Sequence, residues 1–490
     1  MNLCLINHSF KYELEKLVRI FLPFEKIIFF ESFQPDELCA VSLLDKKGGE
    51  YTAKAELYYN GKVYRNERKI DVLSEKEEEL RLAQALFDCL TEAFGYYPEW
   101  GILTGVRPAK LFSRLSHKDG MENTEEYFKN TLKVSDKKLK LCKSCLKGED
   151  EITSLSKPDS VSLYISIPFC PTRCSYCSFV SHSVEQAKKL IPQYTELLCR
   201  EIKITAEKVK SNNLRLETIY IGGGTPTSLS AEQLKTVMDT VKSNFDLTNL
   251  REYTVEAGRP DTITKEKLQV ILSGGATRIS INPQTMNDSV LEAIGRKHTA
   301  KQTVEAFMLA REIGFNNINM DLIAGLPTDT LESFKNTINE VIKLSPESVT
   351  VHSLSMKRSS RLTMGGDLPE IEAGKTASLM VDYANQILNE NEIYAYYMYR
   401  QSKTVGNLEN VGYSKKGFEC LYNVYIMDET HSILACGASG VTKLREPKGD
   451  YIERIFNFKY PYEYIERFDE ILQRKDGIDE FYCKFSAFNQ

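Results

Sequence analysis

No apolar run reaches the roughly 18 uncharged residues that a membrane-spanning helix needs, so none is expected. Basic residues are not in excess. The 63 Lys and Arg stand against 68 Asp and Glu, a net charge of -5, which argues against a general nucleic-acid binder. There is no internal repeat and no low-complexity tract. The stretch from Met1 to Leu17 lacks the uncharged apolar core of a secretory signal, because it carries Lys11, Glu13, Glu15 and Lys16. A soluble, cytoplasmic protein is the expectation. What is present is ordinary globular composition, 42% hydrophobic and 27% charged over 490 residues, enough for roughly three domains.

Twelve cysteines without a secretory context are expected to be reduced, so a tight group among them reads as a metal site or as catalysis. One group exists, Cys170-Pro-Thr-Arg-Cys174-Ser-Tyr-Cys177. The helical pair Cys142 and Cys145 reads as plain thiols, and Cys4, Cys39, Cys89, Cys199, Cys420, Cys436 and Cys483 as isolated core residues.

Three regions differ in pattern: an α+β domain over 1–157, an alternating α/β region over 158–360, and a mixed α/β region over 361–490. In the first, β-type runs at Lys26–Phe30 and Leu38–Leu44 precede a hairpin around Asn60-Gly61, a type I′ turn pair. A helix follows, with Ser74 and Glu77 as a capping box and Gly95 as its stop. The polar segment Gly148–Pro158 reads as a linker.

In the second region, six strands alternate with helices: Ser162–Ile167, Thr218–Ile221, Tyr253–Glu256, Arg278–Asn282, Asn317–Ile323 and Ser348–His352. Helices are expected at Gln186–Lys210, Ala231–Asn244 and Leu331–Leu344. This alternation predicts a parallel sheet, either open or closed into a partial barrel. Such folds collect function at the C-terminal strand ends, and that is where Cys170, Gly222–Thr225, Glu256 and Gln284 fall. The third region opens with a helix near Ala373–Glu390 and turns aromatic at Tyr394, Tyr396, Tyr397 and Tyr399.

The C-x3-C-x2-C spacing narrows the metal chemistry. Structural zinc would need a fourth ligand, and only His182 is near. Three thiolates can instead hold a four-iron cluster and leave one iron open for another ligand. Taken alone, Gly222–Gly224 could be a tight turn, Glu256 and Asp321 solvated acids, and Arg296 a simple ion-pair partner.

The cysteine loop, placed after a first strand bearing Tyr164, resembles the radical S-adenosylmethionine (SAM) enzymes. Gly222-Gly-Gly-Thr225-Pro-Thr227, Glu256, Gln284, Ile294-Gly-Arg296 and Asp321-Leu-Ile-Ala-Gly-Leu-Pro327 are similar to the oxygen-independent coproporphyrinogen III dehydrogenase family (HemN-like). Glu256-Ala-Gly-Arg-Pro-Asp261, Asn282-Pro-Gln-Thr-Met286 and the long N-terminal region resemble its HemZ subgroup.

The resemblance implies a partial (βα)6 radical SAM barrel with a C-terminal domain covering the substrate. It implies a [4Fe-4S] cluster on Cys170, Cys174 and Cys177, and one or two SAM molecules. Tyr164, Gly223 and Glu256 would contact the cluster-bound SAM, and Tyr176 would lie beside an adenine. Gly224, Thr225, Gln284, Arg296 and Asp321 correspond to a second SAM, with Ser353 and Val441 aligning loosely. The implied reaction is decarboxylation of two propionates of coproporphyrinogen III in haem (porphyrin) biosynthesis, with a reductant such as flavodoxin or ferredoxin. A basic and aromatic pocket is expected for the substrate carboxylates, from Lys357, Arg358, Arg361, Arg400 and Lys403; Arg107 is a further candidate.

Three departures stand out. Phe179 replaces a further cysteine of the dehydrogenase branch, a feature shared with the haem-chaperone branch (HemW-like). Ser166 replaces a histidine. The C-terminal Arg-His-Asn pattern is Leu421-Tyr422-Asn423 here, so a natural haem ligand has become Tyr422. A haem-binding protein, or a radical SAM enzyme acting on another tetrapyrrole by haem cleavage or methyl transfer, is the alternative.

Overall fold

The computed structural model describes all residues except 48–49, 73, 178–181, 356–369, 402 and 487–490. The chain divides into two units, one of Met1–Lys143, Asp367–Ser378 and Arg400–Glu409, the other of Ser144–Gly366, Leu379–Tyr399 and Asn410–Gln490.

In the first unit the strands are β1 (Asn2–Ile6), β2 (Ile28–Phe30), β3 (Leu38–Lys47), β4 (Glu50–Tyr59) and β5 (Lys62–Lys69), in the order β2-β1-β3-β4-β5. The expected hairpin forms, with Asn60 and Gly61 both at positive φ (50° and 71°), as a type I′ turn requires. Helix α1 (Lys11–Phe21) and helix α2 (Glu75–Phe94) bury Leu14, Leu17, Phe21, Leu86, Phe87 and Leu90. The Ser74 side chain caps α2 through the Glu77 N–H, and Gly95 ends it in the left-handed region. The Glu77 carboxylate turns to Arg81 Nε (2.8 Å), so half of the expected capping box is made.

Helices α3 (Pro108–Asp119), α4 (Met121–Glu126) and α5 (Asp136–Thr153) follow. Helix α5 corrects the expected linker: it runs through Gly148, and only Ser154–Asp159 connects it to the next strand. The glycine there serves packing rather than flexibility, since a Cβ on Gly148 would lie 2.8 Å from Tyr396 Cβ.

The second unit holds β6 (Ser160–Ile167), β7 (Phe169–Cys170), β8 (His182–Ser183), β9 (Arg215–Gly223), β10 (Glu252–Glu256), β11 (Arg278–Ser280), β12 (Ile318–Ala324) and β13 (Ser348–Ser353). The main strands run parallel in the order β6-β9-β10-β11-β12-β13. These are the six expected strands, each near its expected limits. Helices α6 (Val184–Ala187), α7 (Ile191–Ser211), α8 (Ala231–Asn244), α9 (Lys265–Ser273), α10 (Asp288–Ala293), α11 (Ala300–Ile313) and α12 (Leu331–Leu344) connect them as a partial (βα)6 barrel. The single helix expected over Gln186–Lys210 is two. Pro192 sits in the first turn of α7, where its missing N–H is harmless, and the chain breaks just before it.

Beyond the barrel come α13 (Glu370–Glu390), β14 (Tyr394–Arg400), β15 (Glu409–Ser414), α14 (Leu421–Asp428), β16 (Ser432–Cys436), β17 (Val441–Arg445), β18 (Ile452–Phe456), α15 (Pro461–Glu466) and α16 (Phe468–Ser486). Strand β16 extends the sheet parallel to β6, with β17 and β18 beyond it, while β15 and β14 extend the opposite edge. Among the described residues no helix is long and apolar enough to cross a membrane.

Helix α14 is held by the N-terminal ends of the barrel strands. Glu252, at the start of β10, accepts the N–H groups of Leu421 (2.7 Å) and Tyr422 (3.3 Å), which would otherwise be orphaned at a helix start. Tyr422 then stacks on Tyr220 (centroids 4.6 Å apart) and Tyr164 (6.1 Å), within an aromatic core that includes Tyr396, Tyr397 and Tyr425.

Candidate functional site

Cys170 ends β7, Cys174 and Cys177 lie in the loop between β7 and β8, and each is half-buried. Parallel pairing of Phe169 with His182 and Cys170 with Ser183 closes the base of the loop. The glycine run of β9 supports it from beneath. Gly224 N–H donates to the Ile167 carbonyl (2.8 Å), Thr225 N–H to that of Phe169 (2.8 Å), and the Thr225 hydroxyl to Cys170 Sγ (3.4 Å). A Cβ on Gly224 would meet Phe169 O at 2.7 Å and Cys170 Sγ at 3.0 Å, so the close approach needs glycine. Gly224→Ala is expected to push this strand off the loop and to lower iron content after anaerobic reconstitution at least several-fold. Full iron loading of the variant would contradict that.

The far side of the loop rests on the Ile294-Gly295-Arg296 motif. Ser175 donates to the Ile294 carbonyl from both its N–H (3.0 Å) and its hydroxyl (3.2 Å), and the Thr172 hydroxyl donates to Gly295 O (3.3 Å). Arg296 itself donates to three backbone carbonyls, of Asn282 (2.6 Å), Pro283 (3.4 Å) and Gly258 (3.1 Å). The motif therefore supports the loop as well as offering a cation.

Four side chains of the barrel strands form two pairs within electrostatic reach of each other. Tyr220 on β9 donates its hydroxyl to Glu256 Oε1 on β10 (2.6 Å). Burial lifts the Glu256 carboxyl to about 7, against the pull of the Tyr220 hydrogen bond and with the push of nearby Asp321. Burial acts the same way on Asp321 of β12, but His352 beside it and donors from Asn319 and Thr350 outweigh it and hold the carboxyl below its usual value. Asn319 Nδ2 lies 2.7 Å from Asp321 Oδ1, and His352 Nε2 lies 3.9 Å from Oδ2. Two acids with separated pKa values can act differently at one pH, one ionised and one sharing a proton.

Of the residues singled out in sequence, Glu256 and Asp321 fall in this group, Tyr164 stacks beside Tyr220 (centroids 6.3 Å apart), and Gly222 packs against Glu256. Gly223, at φ 108°, packs against Ser166 and Ile167. Gln284 adjoins Asp321: its N–H donates to Asp321 O (2.9 Å), and its φ of 68° is uncommon for a side-chain-bearing residue. Tyr176 is half-buried between two cysteines, and Ser353 N–H donates to Asn410 Oδ1 (2.9 Å). Val441 begins β17 and is 37% exposed.

Several residues carry more than sequence reasoning gave them. Tyr220 and His352 were passed over, although both lie in the strands whose ends were singled out. Arg259 sat inside a quoted motif without a role. The expected carboxylate pocket changes too. Arg400 is buried and donates to the carbonyls of Leu103 (2.6 Å) and Gly105 (3.3 Å), because an unpaired guanidinium would be costly there. Lys403 lies over the Phe24 ring. Lys357, Arg358, Arg361 and Phe179 lie outside the described residues. Cys483 is exposed rather than core, and Cys4 and Cys39 are neighbours, their sulfurs 3.9 Å apart.

The donor set suits a cluster better than a single ion. Among the described residues no three His, Cys, Asp or Glu side chains are grouped as ligands of one metal ion. His182, the one nearby zinc candidate, packs edge-on to Tyr460 and Tyr462. Thiolates that each hold a different iron of a cluster need no common point. The buried Nε of Arg296 lacks a partner among the described residues.

The profile of the Radical SAM superfamily matches residues 164–341. The oxygen-independent coproporphyrinogen-III oxidase-like protein HemZ of Bacillus subtilis is 40% identical over 385 residues, 78% of this chain and 77% of its own length. The chain belongs to the HemN-like radical SAM family. That family implies a [4Fe-4S] cluster and SAM as cofactors. The heme chaperone HemW of Haemophilus influenzae is another relative, 31% identical over 68% of this chain and 82% of its own. Coproporphyrinogen III oxidase HemN of Escherichia coli has the same fold, with a TM-score of 0.51 at 23% identity, covering 65% of this chain and 71% of its own.

Proposed function

We propose that this HemN-like protein catalyses the oxygen-independent oxidative decarboxylation of coproporphyrinogen III to protoporphyrinogen IX. In this reading Cys170, Cys174 and Cys177 hold the cluster, and Tyr164, Gly223 and Glu256 contact SAM. Tyr176, Gly224, Thr225, Gln284, Arg296, Asp321, Ser353 and Val441 line the surrounding SAM positions. When bound, the cluster and SAM supply a 5′-deoxyadenosyl radical able to take a hydrogen atom from a propionate side chain. Glu256, which accepts from Tyr220 and whose carboxyl burial lifts to about 7, can offer either a donor or an acceptor to a ligand, and ionised Asp321 only an acceptor. The stack of Tyr164, Tyr220 and Tyr422 fixes the ring of Tyr220, and with it the hydroxyl that Glu256 accepts.

The observation that carries the reading is Tyr422. Where haem binding would want a ligand, this side chain is buried in a stack with Tyr220 and Tyr164, and its helix is tied to Glu252. Its hydroxyl could reach a haem iron only if that core were rebuilt. The substrate is suggested by the likeness to the coproporphyrinogen-III oxidase-like protein HemZ and by the HemN-like membership. Similarity to HemW favours a second reading, haem binding and transfer, and a different tetrapyrrole substrate is the third.

The test is anaerobic. Reconstituted protein receives a reductant, SAM, coproporphyrinogen III and an electron acceptor, and products are followed by mass spectrometry. The expected result is stepwise loss of CO2 plus two hydrogens from each of two propionates, with matching 5′-deoxyadenosine and the remaining electron passed to the acceptor, abolished in Cys170→Ala. Deoxyadenosine without decarboxylated product removes the substrate. Stoichiometric haem binding without SAM cleavage selects the second reading.

A further inference from the structure

Arg259 is buried and ties the cysteine loop to the more exposed carboxylate of Asp261. It is 2% exposed, and its Nη1 donates to the Thr172 carbonyl (3.3 Å) and hydroxyl (3.1 Å) and points to Cys174 Sγ (3.9 Å). Its Nε and Nη2 meet both oxygens of Asp261 at 2.9 Å, a bidentate pair. Arg296, 7% exposed, lies within electrostatic reach of Cys174, Tyr176 and Asp261. The Asp261 carboxylate pairs with Arg259, and Arg296 adds a second buried guanidinium within electrostatic reach, so two cations and one carboxylate leave one net positive charge beside one thiolate. Buried charge is costly unless compensated, and the Asp261 carboxylate compensates only half of it.

A thiolate-held iron–sulfur cluster gains a negative charge on reduction. Hydrogen bonds to its sulfurs and nearby positive charge favour that reduced state over the oxidised one. We propose that Arg259, acting through Cys174 and backed by Arg296, is a positioning residue that raises the reduction potential of the cluster, with Asp261 as its counterweight. The inference rests on the reading that Cys170, Cys174 and Cys177 hold the cluster. Pinning the loop through Thr172 alone would need no charge, so a purely structural role and this one differ in what they predict.

The test compares full-length Arg259→Gln, Arg259→Lys and Asp261→Asn after anaerobic reconstitution. Iron and sulfide are counted, and the reduced cluster is titrated against potential by electron paramagnetic resonance. Arg259→Gln is expected to shift the midpoint downward, so that at a fixed potential the ratio of reduced to oxidised cluster falls by roughly tenfold. Arg259→Lys keeps the charge without the fork and should fall between. Asp261→Asn removes the counterweight and should shift the midpoint upward. Opposite signs from the two partners of one ion pair are beyond a merely structural role. If Arg259→Gln cannot hold iron, Asp261→Asn carries the test, and an unchanged or lowered midpoint overturns the proposal. Wild-type protein that assembles no cluster removes the underlying reading; loaded variants with unshifted midpoints remove this inference alone.

Discussion

Replacing Glu201 with alanine is expected to cost about 3–5 kcal/mol of folding stability, the usual penalty for stripping one partner from a buried ion pair. Glu201 and Lys475 are fully buried and 2.9 Å apart. The Glu201 carboxylate also accepts from Gly437 N–H (2.7 Å), the Tyr464 hydroxyl (2.7 Å) and Asn457 Nδ2 (2.8 Å). Every acceptor site is in use, which is what makes such a charge tolerable away from water. The network bears on the site because Gly437 packs against the Ser166 backbone, and Tyr194 donates to Ser166 O (2.9 Å) while accepting from Ala438 N–H (2.9 Å). Ser166 immediately precedes the turn into the cysteine loop. Loss of Glu201 should therefore lower both the urea midpoint and cluster loading. The double variant Glu201→Leu with Lys475→Met removes both charges and should regain most of the lost stability. A single-variant loss below about 1 kcal/mol would show that the pair is dispensable.

The barrel was legible because its signals are local. Strand and helix periods, together with Gly222–Gly224 at the end of β9, mark the six βα units without any knowledge of partners. The cysteine loop was legible by spacing alone. What the sequence could not reveal is convergence. Arg296 and Arg400 read as ion-pair or ligand cations, yet both donate to backbone carbonyls from other segments, and no local pattern announces such a bond. His352 ends an expected strand, but its meeting with Asp321 depends on the lateral register of β12 and β13, where Ile323 pairs with His352. Strand β1 was not expected, although it lies between β2 and β3, because its place at the centre of the sheet comes from parallel pairing with both and not from its own residues. The Gly148 linker failed for the opposite reason. A polar, glycine-containing stretch usually ends a helix, but here tertiary packing against Tyr396 overrides propensity.

The second large effect belongs to Glu256, whose carboxyl burial lifts from 4.5 to about 7. An acid raised on folding contributes stability that is fully present below its unfolded value and is lost as the pH rises through the folded one. At about 1.4 kcal/mol per pH unit, that window is worth on the order of 3 kcal/mol in the ligand-free protein. Glu256→Gln should remove this slope, leaving stability flatter across the same range. Asp321 works in the other sense: its lowered carboxyl stabilises above the usual carboxylate value, and the contribution is lost as pH falls. The two groups therefore act in separate windows. A ligand that puts an ammonium or hydroxyl on Glu256 favours the ionised form, so binding should release a proton below about pH 7. SAM affinity of the cluster-loaded protein should accordingly rise with pH and level off near that value. In Glu256→Gln it should weaken by roughly 10–100-fold, the scale of a hydrogen bond to a charged group, and lose its pH dependence. Calorimetric titration in two buffers of different ionisation enthalpy reads the proton release directly. Wild-type affinity that stays flat through the acid-to-neutral range would separate Glu256 from the ligand and leave it as a partner of Tyr220 alone.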